Sequence, residues 1–218
     1  QKISDAADSA NSLGINGTPT LFINGYKWPE DQRGIEIFSI YVQLLKNQAI
    51  EYNSCAPTVI QPGKEYTATI STSKGDIEVD LFADIAPYAV NSFIFLARNG
   101  WYDGITFHRV IPGAYAQTGD PSGTGLGNAG YFTIDEFDPS LNYDRPGVVG
   151  MYNPGGGTNG GQFFITYAAQ SQFDGAFTIF GQVLSGMDVL EGLTPRDPQP
   201  GTTLDLGDKL TRVTIEEK

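Results

Sequence analysis

The stretch with the clearest chemical potential is residues 107–113, where one permanent cation, Arg109, lies among apolar and small residues. Pro112-Gly113 ends this run with a turn signal, and Gln117 follows shortly after it. The run has no strong nucleophile, but it places one fixed hydrogen-bond donor beside an apolar surface. That arrangement is suited to holding a neutral, apolar substrate. The alternative interpretation is an ordinary β-hairpin in which Arg109 makes a surface ion pair.

The counts of reactive residues exclude several kinds of site. Cys55 is the only cysteine, so no internal disulfide can form, and His108 is the only histidine, so a multi-histidine metal site is excluded. A serine-histidine-aspartate triad would have to use His108, but the Gly-x-Ser-x-Gly motif is missing. We therefore expect neither a metal nor a cofactor, and we interpret Cys55 as a passive free thiol.

Composition favours a β-rich fold. The chain has 218 residues, 40% of them hydrophobic, which suffices for one large domain or for one domain with an appendage. Its 27 glycines, 13 prolines and 17% charged residues are typical of short strands joined by many turns. The formal charge of -12 opposes binding to nucleic acid or to anionic membranes.

Nothing in the hydropathy of the chain suggests membrane insertion. No apolar run approaches the roughly 20 residues that a spanning helix needs. The chain begins at Gln1 without a signal-like segment, so we expect its start to be processed or trimmed.

Residues 1–50 predict a small α/β appendage. A helix, a hairpin and an amphipathic helix follow one another over residues 4–13, 21–28 and 34–47, with Asn24-Gly25 as the hairpin turn. With Pro19 just before the hairpin, this order resembles the C-terminal part of a DsbA-like thioredoxin fold. The Cys-x-x-Cys element of that family is absent, so the resemblance implies a partial domain without dithiol redox activity.

Turn-forming residues without hydrophobic periodicity predict a linker over residues 51–63. A second, larger domain then occupies residues 64–218. Its strands are predicted over residues 66–70, 77–81, 131–134, 162–165, 177–181 and 210–217. Its helices are predicted from Pro87 to Gly100 and around residues 187–192, and residues 195–200 form a proline-rich loop.

Gly125, Gly127 and Gly130 match the dinucleotide-binding pattern Gly-x-Gly-x-x-Gly. We reject nucleotide binding, because a strand-like run follows these glycines in place of the helix that would hold the pyrophosphate. Several short strands with two short helices at opposite ends favour a closed antiparallel barrel over a parallel sheet.

Four motifs in a fixed order resemble the cyclophilins, the peptidyl-prolyl cis-trans isomerases. They lie at residues 107–121, 135–151, 158–165 and 173–181, and the similarity runs over about residues 66–215. The resemblance implies a mainly β fold, a closed antiparallel eight-stranded barrel with two capping helices. It also implies an enzyme, a peptidyl-prolyl cis-trans isomerase that assists protein folding.

The implied reaction agrees with the lack of a nucleophile. Rotation about an X-Pro bond breaks no covalent bond, but it must overcome a barrier of about 18–20 kcal/mol that arises from amide resonance. A donor directed at the prolyl nitrogen stabilises the twisted amide over the conjugated one. Arg109 is the candidate donor, because its planar guanidinium does not lose its proton.

By resemblance, further polar residues belong to the site. Gln117 holds the substrate backbone or orients Arg109, Asn153 offers backbone groups to the peptide, and Gln162 lines a neighbouring subsite. Phe164 and Phe173 match positions of the pocket for the proline ring. For these two rings the alternative interpretation is plain core packing, because aromatic residues on strands are mostly buried.

The proline pocket departs from the family pattern at Ala114, Tyr115, Tyr152, Pro154, Gln172 and Phe177. Ala114 and Tyr115 replace the usual Phe and Met, while Gln172 and Phe177 replace the usual Trp and His. Strong cyclosporin binding is therefore not expected. Either Tyr115 or Phe177 could refill the space left at Ala114. The alternative function is a proline-peptide binding or scaffold module with a cyclophilin barrel and little or no catalysis.

The expected partners are polypeptides that contain X-Pro bonds, namely unfolded or exported proteins, bound by a monomer. Since DsbA-like proteins work where disulfides are made, the resemblance of residues 1–50 predicts an extracytoplasmic location, in the cell envelope or secreted. A cytoplasmic location is the alternative.

Overall fold

The computed structural model describes residues 10–12, 15, 20, 22–23, 26–27, 35–198 and 207–218. Strands β1 (Phe22–Ile23) and β2 (Tyr26–Lys27) pair antiparallel, at the position of the predicted hairpin. Helix α1 spans Ile35–Gln48, where the amphipathic pattern predicts it. Residues 10–12 are helical, while the rest of the first predicted helix, Pro19 and the Asn24-Gly25 turn lie outside the described residues.

Eight further strands form a single antiparallel sheet. Its strands are β3 (Tyr66–Thr72), β4 (Gly75–Leu81), β5 (Arg109–Ile111), β6 (Tyr115–Thr118), β7 (Val148–Met151), β8 (Phe163–Thr166), β9 (Ile179–Ser185) and β10 (Leu210–Glu217). They form an eight-stranded sheet in the order β10-β3-β4-β9-β7-β8-β6-β5. The prediction of a mainly β, antiparallel fold is confirmed.

The hairpin of β3 and β4 shows how the alternating pattern produces a strand with one buried face. Ile77, Val79 and Leu81 are at most 4% exposed, and acidic residues alternate with them on the other face. Thr72 pairs with Gly75 at the turn, where the φ of Gly75 is 138°. Only glycine adopts such a backbone angle readily, so Gly75 permits this tight turn.

Helix α2 (Pro87–Arg98) supplies the main helical contribution to the core. Its predicted apolar stripe is buried, and the ring of Phe93 lies 5.3 Å from that of Phe163 and 5.2 Å from that of Phe180. Pro87 occupies the first turn of the helix, where a missing N–H group is tolerated. The second, shorter helix, α3 (Met187–Glu191), packs against β4.

The two edge strands, β5 and β10, approach each other through one bridge beside β5. Thr106 pairs with Lys209, and the N–H group of Phe107 donates to the carbonyl of Asp208 at 2.9 Å. Strands β3 to β10 thus form a curled eight-stranded sheet. Complete closure of this sheet as a barrel stays a prediction.

The strand predicted over residues 131–134 is wrong. Only Thr133 pairs there, in an isolated bridge with Asn159. The amide nitrogen of the Asn159 side chain donates to the carbonyls of Thr133 and Ile134, at 3.3 and 2.9 Å. A side chain therefore provides hydrogen bonds that a neighbouring strand would otherwise supply.

Residues 51–63 contain neither helix nor strand, but they are packed on the sheet domain. Asn91 of α2 accepts hydrogen bonds from the N–H groups of Val59 and Ile60, at 2.7 and 3.3 Å. The N–H group of Tyr52 donates to the carbonyl of Ala129 at 2.8 Å. This segment is therefore fixed to the domain along its length, while the predicted domain boundaries stay predictions.

Candidate active site

Arg109 and Gln117 lie opposite each other on neighbouring strands. They are register partners across β5 and β6, which are joined by a turn in which Gly113 has a φ of 74°. Directly opposed residues of an antiparallel pair project from the same face of the sheet. The turn therefore brings the two predicted catalytic residues together, with Gln117 buried at 3% exposure and the Arg109 side chain partly exposed.

The guanidinium of Arg109 has two partners. Its Nε lies 2.9 Å from Oδ1 of Asp197, and its Cζ lies 5.5 Å from the centre of the Tyr115 ring. The surface ion pair of the alternative interpretation is therefore present, and the cation also faces an aromatic ring. Both partners of the ion pair are substantially exposed, so it contributes at most about 1 kcal/mol to stability.

An aromatic cluster lies beside Arg109 and is centred on Phe164. The ring of Phe164 lies 5.5 Å from those of Tyr115 and Phe173 and 5.3 Å from that of Phe177. Tyr152 stacks on Phe177 at 6.3 Å, with an interplanar angle of 18°. Tyr115 and Phe177 thus both pack beside Phe164 and Phe173.

Tyr143 supports this cluster from below. Its ring stacks on Phe164 at 5.7 Å, and its hydroxyl donates to the carbonyl of Phe177 at 3.3 Å. Burial raises the pKa of Tyr143 far above its usual value, so its hydroxyl keeps its proton. Burial also raises the pKa of Tyr115, against a smaller lowering by Arg109.

A polar network lies on the other side of Gln117. The Nε2 of Gln117 donates to Oε1 of Gln162 at 2.9 Å. The Nε2 of Gln162 donates in turn to the carbonyls of Gly125 and Gly127, at 3.1 and 2.8 Å. The glycine run that matches the dinucleotide pattern thus provides hydrogen-bond acceptors for Gln162. The Oε1 of Gln117 is buried and has no hydrogen-bond partner within the described residues.

The side chain of Asn153 points into a second polar cluster. Its Nδ2 lies 3.1 Å from Oδ1 of Asp135, 3.4 Å from Oδ1 of Asn159 and 3.4 Å from the carbonyl of Ala176. Asp135 also accepts a hydrogen bond from the N–H group of Gly157 at 2.6 Å. The Asn153 side chain therefore fixes the segment between β7 and β8.

His108 is buried at 2% exposure, and neither ring nitrogen has a hydrogen-bond partner within the described ranges. Burial lowers the pKa of His108 to about 4, with Asp120 raising it and Arg196 and Arg109 lowering it. The imidazole is therefore neutral at physiological pH.

In the part of the chain that the structure describes, no three histidine, cysteine, aspartate or glutamate side chains gather as a metal cluster. Nor does that part contain a helix both long and apolar enough to cross a membrane.

The comparison with known families decides the assignment. The family described as "Cyclophilin type peptidyl-prolyl cis-trans isomerase/CLD" matches residues 67–216. The chain belongs to this family. The isomerase predicted from the sequence motifs is thereby confirmed, whereas the resemblance of residues 1–50 to a DsbA-like segment receives no support and stays a prediction.

Relatives of the cyclophilin domain agree with this assignment. Peptidyl-prolyl cis-trans isomerase CYP18-1 of Arabidopsis thaliana is 41% identical over 152 residues, which are 68% of this chain and 95% of that protein. Peptidyl-prolyl cis-trans isomerase A of Mycobacterium tuberculosis is 41% identical over 60% of this chain and 80% of its own length. The chain spans 22% of the mouse peptidylprolyl isomerase domain and WD repeat-containing protein 1, with 44% identity.

A solved structure shares the fold of the cyclophilin domain. A cyclophilin-type isomerase of Cryptosporidium parvum, crystallised in the presence of the dipeptide Ala-Pro, has a TM-score of 0.62 and 33% identity. The alignment covers 69% of this chain and 98% of that one.

Two further predicted site residues, Ala114 and Gln172, are connected with the turn between β5 and β6. Ala114 ends the turn between β5 and β6, and its carbonyl accepts a hydrogen bond from Tyr167 N–H at 2.9 Å. Gln172 is exposed and donates to Oε1 of Gln170 at 2.6 Å, while Gln170 donates to the carbonyl of Gly113 at 3.2 Å. Gln172 thus supports the turn through Gln170.

Sequence reasoning missed Asp197, Tyr143 and Asn159. Asp197 lies in the predicted proline-rich loop, and nothing in its local sequence indicates that the loop reaches Arg109. Tyr143 and Asn159 lie inside the family motifs at residues 135–151 and 158–165, and that position was the sequence signal that could have identified them. The structure shows both residues fully buried.

Proposed function

We propose that the cyclophilin domain isomerises X-Pro bonds at the surface formed by Arg109, Gln117 and the aromatic cluster around Phe164. The observation that supports this proposal most strongly is the pairing of Arg109 with Gln117 across β5 and β6. This pairing sets a permanent cation beside a buried amide, next to apolar rings that suit a proline. No covalent intermediate is involved.

In this proposal each residue has a separate role. Arg109 donates a hydrogen bond to the prolyl nitrogen as it becomes pyramidal, which stabilises the twisted amide more than the planar one. Gln117 accepts a peptide N–H with its Oε1, which has no other partner in the described residues. Phe164 and Phe173 hold the proline ring, and Tyr115 keeps the guanidinium in place.

Around this centre, Gln162 lines the neighbouring subsite and Asn153 contributes backbone groups. Tyr152 borders that subsite and, through its stacking on Phe177, also the proline pocket. Ala114 makes the turn between β5 and β6 less bulky than the usual Phe of the family would. Gln172 stabilises that turn through its hydrogen bond to Gln170.

The test is a cis-trans exchange assay on a short proline peptide. Arg109→Ala is expected to lower kcat/KM about 100-fold or more, as the loss of one transition-state donor does. Arg109→Lys keeps the charge without the planar fork and should recover only part of the activity. Arg145→Ala, which removes an exposed arginine whose side chain forms an ion pair with Asp144, is the control and should match the wild type. Equal rates in Arg109→Ala and the wild type would refute the proposal.

A second candidate function is proline-peptide binding with little catalysis. Its support is that Phe177 lies 5.3 Å from both Phe164 and Phe173 and thus narrows the proline pocket. Peptide binding measured by NMR titration separates the two functions. Binding without exchange enhancement identifies the binding module, whereas exchange enhancement identifies the isomerase.

We also propose that the clients are unfolded or exported polypeptides, that the protein is a monomer, and that it works outside the cytoplasm. Residues 1–50, interpreted as a DsbA-like segment, support this location, and the cytoplasm is the alternative. Fractionation of cells that express the full-length gene product tests the location. Sedimentation equilibrium in the analytical ultracentrifuge tests whether the protein is a monomer. A protein confined to the cytoplasmic fraction would exclude the proposed location.

We further propose that the curled sheet is a closed barrel. The bridge between Thr106 and Lys209, next to the edge strands β5 and β10, supports closure. Hydrogen exchange tests it, because a closed seam protects the amide of Phe107 as strongly as amides inside the sheet.

A further inference from the structure

The last turn of helix α1 carries a buried polar residue that faces the cyclophilin domain. Asn47 is 2% exposed, although its neighbours Lys46 and Gln48 are exposed. Its Nδ2 donates to the carbonyl of Asn128 at 3.0 Å and to Oε1 of Glu51 at 2.8 Å. An amide buried in this way fixes the loop that it contacts, because breaking its hydrogen bonds would leave polar groups unpaired.

The loop that Asn47 contacts is tightly packed. Asp120 accepts hydrogen bonds from the N–H groups of Gly125 and Gly127, at 2.7 and 3.1 Å. A Cβ atom on Gly127 would lie 2.9 Å from Cγ of Asp120 and 3.0 Å from Oδ1 of Asn47. Gly127 is therefore held between a carboxylate of the sheet domain and the amide of α1, with no room for a side chain.

The same loop sets the orientation of Gln162. Both carbonyls that accept from its Nε2, those of Gly125 and Gly127, belong to this loop. Because the Nε2 faces the loop, the Oε1 faces Gln117 and accepts its hydrogen bond at 2.9 Å. Hydrogen bonds and close packing thus connect Asn47 continuously with Gln117, the register partner of Arg109.

The loop also forms one wall of a cavity of about 150 Å³ beside Gln162. The apolar side chains of the cavity come from Leu126 of the loop and from Phe132, Tyr152 and Pro154, and Thr158 adds a hydroxyl. No charged side chain lines it, so it suits an apolar side chain that flanks the proline of a bound peptide.

We propose that Asn47 of helix α1 is a positioning residue for substrate binding, which holds the loop of residues 125–128 so that Gln162 and the adjoining cavity are preformed. Helix α1, which precedes the family-matched region, thereby contributes to the peptide selectivity of the isomerase site. The inference rests on the proposed roles of Gln117 and Gln162. It predicts an effect on KM and little effect on kcat, because Arg109 itself keeps its ion pair and its ring contact.

The test uses the full chain and a series of proline peptides that differ in one flanking residue. Asn47→Ala is expected to raise KM about three- to tenfold for peptides with an apolar flanking residue. A rise of this size corresponds to the loss of one hydrogen bond that holds the loop ready for binding. Its kcat should stay within about twofold of the wild type, as should KM for a peptide with glycine at that position. Lys46→Ala, an exposed neighbour on the same turn, is the matched control and should leave both constants unchanged.

A double-mutant cycle with Gln162→Ala decides whether Asn47 acts through Gln162. If it does, the double variant should show no larger rise in KM than Gln162→Ala alone. Additive effects, a fall confined to kcat, or an unchanged KM in Asn47→Ala would each overturn the inference. If Gln162→Ala itself leaves KM unchanged, the proposed role of Gln162 fails, and this inference fails with it.

Asn47→Asp is the variant to test if Asn47→Ala does not fold. It keeps the volume of the side chain but replaces the donor with an acceptor that faces the carbonyl of Asn128 and the carboxylate of Glu51. The same rise in KM is expected, and a KM equal to that of the wild type would overturn the inference.

Discussion

The Nε atom of Arg109 lies 2.9 Å from Oδ1 of Asp197, which joins the β5–β6 hairpin to the loop after α3. The backbone of the same loop pairs with β5, since Val110 N–H donates to the carbonyl of Arg196 at 2.6 Å and Arg196 N–H donates to that of Val110 at 2.8 Å. The ion pair engages Nε, while the ring of Tyr115 lies against the guanidinium. Asp197 therefore restricts the orientations that Arg109 can adopt.

Asp197→Asn is expected to lower kcat/KM about two- to fivefold. An exposed ion pair stabilises one orientation of Arg109 by less than about 1 kcal/mol. Raising the salt concentration should lower the activity of the wild type toward that of the variant. Exchange rates at low and high ionic strength measure both effects. Asp84→Asn, which removes one exposed acidic charge elsewhere, is the control. An Asp197→Asn variant as active as the wild type would show that the ion pair does not orient Arg109.

Gly150→Ala is expected to destabilise the fold by about 1–3 kcal/mol and to reduce isomerase activity. An added Cβ would contact the Tyr143 hydroxyl and lie 2.7 Å from Cζ of Phe164. Phe164, a proposed contact of the proline ring, or Tyr143 beneath it would have to shift. Urea unfolding and exchange assays measure the two effects.

The control for this change is Gly155→Ala. Nothing lies within 4 Å of a Cβ at position 155, so this variant should match the wild type. If Gly150→Ala were as stable and as active as the wild type, the packing of Tyr143 beneath Phe164 would not determine the position of the Phe164 ring.

His108 should make the stability of the protein fall as pH decreases from about 6.5 to about 4. Burial lowers the pKa of the folded state to about 4 from a usual value of 6.5, so in this window the unfolded chain binds a proton that the folded chain does not. Across this window the free energy of unfolding falls by roughly 3 kcal/mol.

Urea unfolding of the wild type and of His108→Leu, at several pH values, isolates this effect. The leucine has no titrating group, so the difference in free energy of unfolding between the two proteins should change across the window. A constant difference would mean that His108 titrates equally in both states.

Glu136 should stabilise helix α2 although it lies outside the helix. The N-cap residue, Ala86, has no side-chain hydrogen bond to offer, and the Glu136 carboxylate accepts from the N–H groups of Tyr88 and Ala89 at 3.1 and 2.8 Å. Glu136→Ala is expected to lower the free energy of unfolding by about 1–2 kcal/mol. Glu136→Gln keeps a hydrogen-bond acceptor and should lower the free energy of unfolding less than Glu136→Ala does. Equal stability of the alanine variant and the wild type in thermal unfolding would contradict this capping role.

Much of the fold could be predicted because its signals are local. The alternation of Ile77, Val79 and Leu81 and the stripe through Val90 and Phe93 each report a buried face, which a 2- or 3.6-residue period reveals. The pairing of Arg109 with Gln117 also depends on a short turn, which Pro112-Gly113 indicates.

The remainder depends on contacts between distant parts of the chain. Asp197 reaches Arg109 from 88 residues away, and Asn47 reaches Asn128 from 81 residues away. The run at residues 131–134 has strand-like residues, but the Asn159 side chain occupies its carbonyls. Whether Tyr115 or Phe177 refills the space left at Ala114 was likewise undecidable from the sequence. In the structure both rings pack beside Phe164.

The pairing of β10 with β3 has a consequence for biosynthesis. Thr211 donates from its hydroxyl to the carbonyl of Ser71, a residue made 140 positions earlier. At ribosomal speeds, β3 therefore waits on the order of ten seconds for its partner strand. Throughout that interval the nascent chain exposes an unpaired strand edge, the kind of surface that invites aggregation. The sheet of this isomerase is therefore complete only after β10 has been synthesised.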